Sequence, residues 1–310
     1  MGEFFTSAVL VSTVASGLRL STSYLFAAIG ETFGQRSGVL NLGVDGIMLL
    51  GAFGAYYTVL NGGGLWLGMV VAITVGLVMG LAMAFTSVTL QAEQGISGIG
   101  FYLFGLGLSD LLFQKLVGTP LPIRGFPELR IPLLADLPVV GEMLFSHSIV
   151  VYAAFLLVPV GAFVLNRTTL GLKIRSVGEN PEAADTLGVS VAGVRYFTVM
   201  TGSALAGLGG AALATELGIF QQNLTAGQGF IAVALVYFGA WRPVGVMAGS
   251  LLYGLVASVV LQLKTLGIIP RSASELAAML PAVLTILALV VAVQRERQPA
   301  ALTKPYERGA

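Results

Sequence analysis

Long apolar runs, each near the length of one bilayer crossing and parted by short polar stretches, decide what this chain can become. A helix needs about 20 predominantly apolar residues to cross a hydrocarbon core. Breaks in hydropathy place such runs near residues 5–30, 38–60, 64–89, 95–113, 148–165, 194–217, 229–240, 243–263 and 275–293. In lipid, backbone groups must bond within their own segment, so runs of this length predict helices. The expected fold is all-α, a polytopic transmembrane helical bundle of about nine membrane segments, some of them broken or half helices. With 56% of 310 residues hydrophobic and 10% charged, no stretch is left for a separate soluble domain. Residues 1–294 read as one transmembrane domain and 295–310 as a cytoplasmic tail.

Several classes are excluded early. A net charge of +1 carries no nucleic-acid footprint. The absence of cysteine removes disulfides and Cys-based metal sites. His147 is the single histidine and has no carboxylate cluster beside it, so it reads as a surface residue and no metal is expected. Glu3 stands where a signal peptide would carry a basic residue, so a cleaved leader is not expected. There is no phosphate loop, no His-Glu-x-x-His and no Gly-x-Ser-x-Gly elbow, hence no catalytic residue to name. If ATP drives anything here, another chain hydrolyses it.

Orientation follows from basic residues in the connections. Arg36, Arg167, Lys173, Arg175, Arg195, Arg242, Arg295, Arg297, Lys304 and Arg308 fall on one side, against Lys115, Arg124, Arg130, Lys264 and Arg271 on the other. The richer side is expected to be cytoplasmic, with the N-terminus outside a bacterial inner membrane and the C-terminus within. Arg19 lies inside the first apolar run. Either that run opens with an interfacial helix, or Arg19 faces protein, because an arginine in lipid is costly.

On the basic side, residues 166–193 form a polar island with six charges. Asn180 before Pro181 predicts an N-cap followed by proline at the first helical position, Glu182 and Asp185 suit the first turn, and Gly188 ends it after Leu187. With Glu179 just ahead, this is a short, self-capped helix held outside the bilayer. Such a module fits a place where a soluble partner grips a membrane protein. On the opposite side, 114–147 contains Pro120, Pro122, Pro127, Pro132 and Pro138, which predict an extended, stiff loop rather than a helix. Its Arg124 and Arg130 offer charge to an acidic partner or are simply solvated.

Glycines concentrate in two comparable places, from Gly38 to Gly54 and from Gly227 to Gly254, as expected of broken helices in inverted-repeat transporters. The run 229–240 is too short for a straight crossing and reads as a half-helix. Gly202, Ala206, Gly210 and Ala214 make a small-residue stripe for close helix contact. Asn41 and Asp45 sit between apolar runs and must face a cavity, a partner group or freed backbone donors, so Asp45 either lines a path or caps a half-helix. Gln228 before the short run allows the same two roles, and Asp110 near the outer end of its span reads as interfacial. Phe101, Tyr102 and Phe104 give either an aromatic face on a path or helix packing.

Three blocks resemble the membrane subunit of ATP-binding-cassette importers, in the group holding the ribose and branched-chain amino acid permeases. They are residues 36–46 (Arg-Ser-Gly-Val-Leu-Asn-Leu-Gly-Val-Asp-Gly), residues 178–188, and residues 227–234 with Trp241, Arg242 and Pro243. Their order and spacing match over nearly the whole chain, and their wording looks most like the nucleoside branch, linked to lipoprotein-type binding proteins. That branch usually carries Glu where this chain has Asp45, and it lacks the extra first helix of the ribose permease. The resemblance implies that 178–188 is a coupling helix docking into a separate ATPase, which binds the ATP and Mg, so this chain needs no cofactor. It also implies a path between two permease subunits, often different paralogues, and an extracytoplasmic solute-binding protein, for which Arg124 and Arg130 are the candidate docking residues. The candidate path residues are Asn41, Asp45, Phe101, Phe104 and Gln228, and the expected substrate is a nucleoside, its base stacked on aromatic rings and its ribose met by Asn41 or Gln228. The alternatives are a simple-sugar permease or, further off, a self-contained carrier, channel or intramembrane enzyme. A proton-coupled carrier would show several intramembrane carboxylates, whereas Asp45 reads as nearly alone.

Overall fold

The computed structural model describes residues 7–132, 134, 135, 137, 140–270, 273–292 and 298–307. Glu3, Pro138, Arg271, Arg295, Arg297 and Arg308, invoked above, lie outside them. The described helices are α1 (Ser7–Arg36), α2 (Val44–Leu60), α3 (Leu65–Ala84), α4 (Gln94–Leu116), α5 (Val140–Leu144), α6 (Ile149–Arg167), α7 (Thr169–Glu179), α8 (Pro181–Thr186), α9 (Val191–Leu217), α10 (Gln228–Phe238), α11 (Pro243–Thr265) and α12 (Ser274–Ala292). A π-helical turn, Phe85–Thr89, extends α3. Six of the described helices, α1, α3 with its π turn, α4, α6, α9 and α11, are long and apolar enough to cross a membrane, while α2 and α10 are apolar but shorter.

Polar side chains start the helices that begin outside apolar sequence. Glu93 accepts from the Gly95 and Ile96 amides ahead of α4, Thr168 from Gly171 at 3.1 Å ahead of α7, and Ser190 from Gly193 at 3.2 Å ahead of α9. Each satisfies amides that a first helical turn leaves unpaired. One boundary differs from expectation: α1 runs on to Arg36, and helix resumes only at Val44 rather than near 38. The Asn41 side chain accepts from the Gly43 amide at 2.9 Å, and this local turn competes with helix over 37–43.

Helix α9 is the centre of the bundle, with α1, α2 and α3 packed on it. A Cβ added at Gly202 would run into Gly30 of α1, one at Gly210 into Met48 of α2, and one at Gly207 into Ala72 of α3. Lipid tails are as apolar as leucine, so these helices are held by such backbone-close packing rather than by exclusion of water. The stripe Gly202, Ala206, Gly210 and Ala214 is buried throughout. Arg19 faces protein, its Nε 3.5 Å from Glu216 and its Nη1 3.9 Å from Glu128, and α1 passes it without a break.

The proline-bearing stretch of the loop is extended, as expected, but it carries a paired strand and leads into a short helix. Strand β1 (Glu128–Arg130) pairs antiparallel with β2 (Ser146–Ser148), and α5 lies between them. Prolines 120, 122, 127 and 132 flank these elements without entering them, so they do not forbid either. His147 is not on the surface. It is 2% exposed, with Nε2 2.8 Å from the Met143 carbonyl and its ring against Tyr152, because the strand pairing folds it under α5.

Candidate functional site

Two short helices begin head to head inside the bundle. The Asp45 carboxylate, in the first turn of α2, accepts the Gly229 amide of α10 at 2.7 Å across 184 residues of sequence. Gly229 is needed for that approach, since a Cβ there would collide with the Asp45 backbone. Depth follows from α1, which rises about 1.5 Å per residue from Arg36. Glu31, which accepts the Asn41 amide at 3.0 Å, lies about 8 Å in, and Ser23, which donates to the Gln228 side chain at 3.2 Å, lies about 20 Å in. At the Arg36 end, Trp241 beyond α10 donates to Gln35 at 2.8 Å, and its carbonyl accepts from Arg36 at 3.0 Å. At the other end, Tyr56 of α2 bonds the Leu121 backbone. Thus loop 37–43 dips in from one end and 218–227 from the other, and α2 and α10 leave their meeting point in opposite directions.

The electrostatics are specific. Helix N-termini carry partial positive charge and favour an anion. Here two of them converge on Asp45, which is fully buried. The Thr225 hydroxyl and the Gly227 backbone also stand beside this carboxylate. Lipid would not tolerate this carboxylate; here it sits in the first turn of α2 and accepts the start of α10.

Asn41 is 3% exposed and caps its own turn, and its Nδ2 donates to Ser203 of α9 at 3.3 Å. Gln228 is half-buried at the start of α10. The fold therefore brings Asn41, Asp45 and Gln228 to one region and gives each a protein partner. Phe101 packs over the break at Gly43, Tyr102 meets Phe230 of α10 edge-on at 4.9 Å, and Phe104 is 54% exposed. The three rings thus have three different surroundings rather than one shared face. Asp110 accepts from the Asn223 amide at 3.3 Å, tying α4 to the 218–227 connector.

The polar island holds α7 and α8. Asn180 accepts from the Ala183 amide at 3.0 Å, Pro181 is the first residue of α8, and Gly188 closes it with a φ of +81°, which favours glycine. Glu179, Glu182 and Leu187 are exposed, Leu187 to 84%, Asp185 is half-buried, and Ala184 is the buried contact. Arg124 and Arg130 are both exposed, in the loop between α4 and α6.

Sequence reasoning passed over Glu31 and Gln35. Glu31 is 3% exposed and joins the Asn41 amide to Gln35, which in turn receives Trp241. The i,i+4 spacing of the pair in the polar break between the first two apolar runs was the available signal. Asp45 is therefore not nearly alone: a second buried carboxylate stands one turn from its loop.

A helical bundle in which two half-helices start head to head at mid-depth has the architecture of a membrane transporter. The chain belongs to the family described as the permease component of the branched-chain amino acid transport system, which it matches over residues 13–289. It is 33% identical to the guanosine ABC transporter permease protein NupQ of Bacillus subtilis, over 97% of this chain and 98% of that one. It is 35% identical to the nucleoside ABC transporter permease protein NupC of Lactococcus lactis subsp. cremoris, over 93% and 94%. It is also 39% identical to TsgC13 of Haloferax volcanii, named as a provisional glucose ABC transporter permease, over 85% and 80%. No solved structure matches.

Proposed function

We propose that this chain forms the translocation path for an uncharged nucleoside in an ATP-binding-cassette importer, together with a second permease subunit, an ATPase and a solute-binding protein. The observation that carries the substrate is likeness along almost the whole chain to two permeases named for nucleosides. The junction agrees with an uncharged cargo. In transporters whose half-helix starts receive an anionic substrate, that charge comes from the ligand, whereas here Asp45 already supplies it. Asn41, Asp45 and Gln228 support the wall of the path by holding the two half-helices together, and Phe101 and Phe104 flank it.

Helix α8 docks the ATPase, with Glu182, Asp185 and Leu187 as its contact groups, framed by Glu179, Asn180, Pro181 and Gly188. Arg124 and Arg130 receive the binding protein, and the α7–α8 end of the bundle faces the cytoplasm. A sugar is the second reading, favoured by the 39% identity to the glucose-named relative. Competition for uptake by the complete transporter in proteoliposomes separates the two. Labelled adenosine or guanosine should enter and resist excess glucose, whereas uptake of glucose alone would replace the nucleoside reading.

A further inference from the structure

The segment 298–307 turns back onto the bundle and bonds elements that are far apart in sequence. The Ala301 amide donates to the Gly178 carbonyl at 2.9 Å, at the end of α7 just before α8. The Thr303 amide donates to the Gly38 carbonyl at 3.1 Å, in the loop that leads to Asp45. Gln91, in the turn before α4, donates to the Tyr306 carbonyl at 3.2 Å. Pro299, Ala301 and Leu302 are buried, so this part of the segment packs on the bundle, while 303–305 are exposed.

Arg195 of α9 locks the arrangement. It is 2% exposed, donates Nε to the Ser37 carbonyl at 3.2 Å and Nη1 to the Lys304 carbonyl at 3.1 Å, and forms no ion pair among the described residues. A buried guanidinium is costly unless its donors are used, and its planar fork can bond two backbones at once. Its two carbonyl partners come from the loop after α1 and from the returning segment. Releasing either would strand a buried charge.

We propose that residues 298–307, clamped by Arg195, are a tie that carries displacement of the coupling helix to the 37–43 loop and so to the half-helix junction at Asp45. This rests on the reading of α8 as the ATPase-docking helix. Gly178 already packs against the Arg36 carbonyl, so closely that a Cβ there would collide with it. Packing of that kind resists compression but does not resist separation. The amides of Ala301 and Thr303, bonded to Gly178 and Gly38, hold the two together in the other direction. Motion at α8 then pulls the loop as well as pushing it, and two-way transmission requires such a bonded link between elements with two arrangements.

The test deletes residues 299–310 in the complete transporter, reconstituted in proteoliposomes with its ATPase and binding protein. The ATPase should co-purify in full yield and ATP hydrolysis should continue, while solute taken up per ATP falls about tenfold, in the usual range of a coupling free energy. Arg195→Lys keeps the charge and loses the fork, and should give the same loss of coupling in smaller degree. Unchanged uptake per ATP in the deletion overturns the tie. Loss of ATPase binding in the deletion also overturns it, because the segment would then be a docking or folding element. Charge reversal at Glu182 and Asp185 in the full-length chain reports separately on α8: an ATPase still bound there removes the docking-helix reading, whereas intact uptake after deletion removes only the tie.

Discussion

Asn180 and Asp45 serve their helices in the same way at very different range. Asn180 is exposed and accepts an amide three residues ahead in its own chain segment. Asp45 is buried and accepts an amide from the start of another helix, 184 residues on. A local cap is made within one short segment, so the cap of α8 does not depend on how α2 and α10 stand. The distant cap exists only while α2 and α10 stand head to head, and any motion that parts them must break it. The first kind of cap is independent of how the bundle is arranged, and the second reports on it.

The largest effect expected is from reversing Glu182 and Asp185 to Lys together. The protein should still insert, but ATPase co-purification and uptake should be lost, and normal pull-down with normal uptake would remove α8 from its role. Next, Gly229→Val drives a side chain into the Asp45 backbone, and overpacking of this kind costs about 1–3 kcal/mol. Thermal melting in detergent should drop and uptake should fail, while an unchanged melting temperature would mean the junction is looser than described.

Asp45→Asn sharpens the comparison, because it keeps an acceptor for Gly229 and removes only the charge. A charge at a helix start is worth about 0.3–1 kcal/mol and up to ~2 kcal/mol when partly buried, so a moderate loss of thermal stability is expected. Asp45→Glu, which restores the charge, should recover most of it; equal loss in both variants would argue that geometry alone matters at this site. Asn180→Ala should cost about 1 kcal/mol of α8 helix stability and weaken ATPase binding about fivefold, without moving the melting temperature of the bundle. The smallest effect is expected at the outer loop: Arg124→Glu with Arg130→Glu should reduce stimulation of ATP hydrolysis by the binding protein at low salt, and less so once exposed charges are screened beyond about 8–10 Å. Equal stimulation at low salt would place that docking surface elsewhere.

What could be read from the residues was what depended on near neighbours. Asn180, Pro181 and Gly188 announce α8 because cap, first turn and stop all lie within one short stretch. The two breaks fall where glycines gather, since Gly38 and Gly227 adopt positive φ there. The strand pairing of residues 128–130 with 146–148 was not legible, since proline content says nothing of such pairing. Glu31 drew no role because its partners, the Asn41 amide and the Gln35–Trp241 pair, gather only when α10 returns to the end of α1.

Sequence alone determined that this chain is a membrane bundle, roughly where its long apolar helices lie, and that Asn41 and Asp45 had to face protein rather than lipid. Those properties follow from the cost of unpaired backbone and charge in hydrocarbon, which each short segment meets on its own terms. Tertiary structure decided that Asp45, in the first turn of α2, accepts the start of α10, that His147 is buried, and that 298–307 joins the end of α7 to the break. Each of these rests on contacts between segments remote in sequence, formed when glycine-lined helices approach closely enough for a carboxylate, a ring or a guanidinium to reach a backbone it could not reach in an open chain.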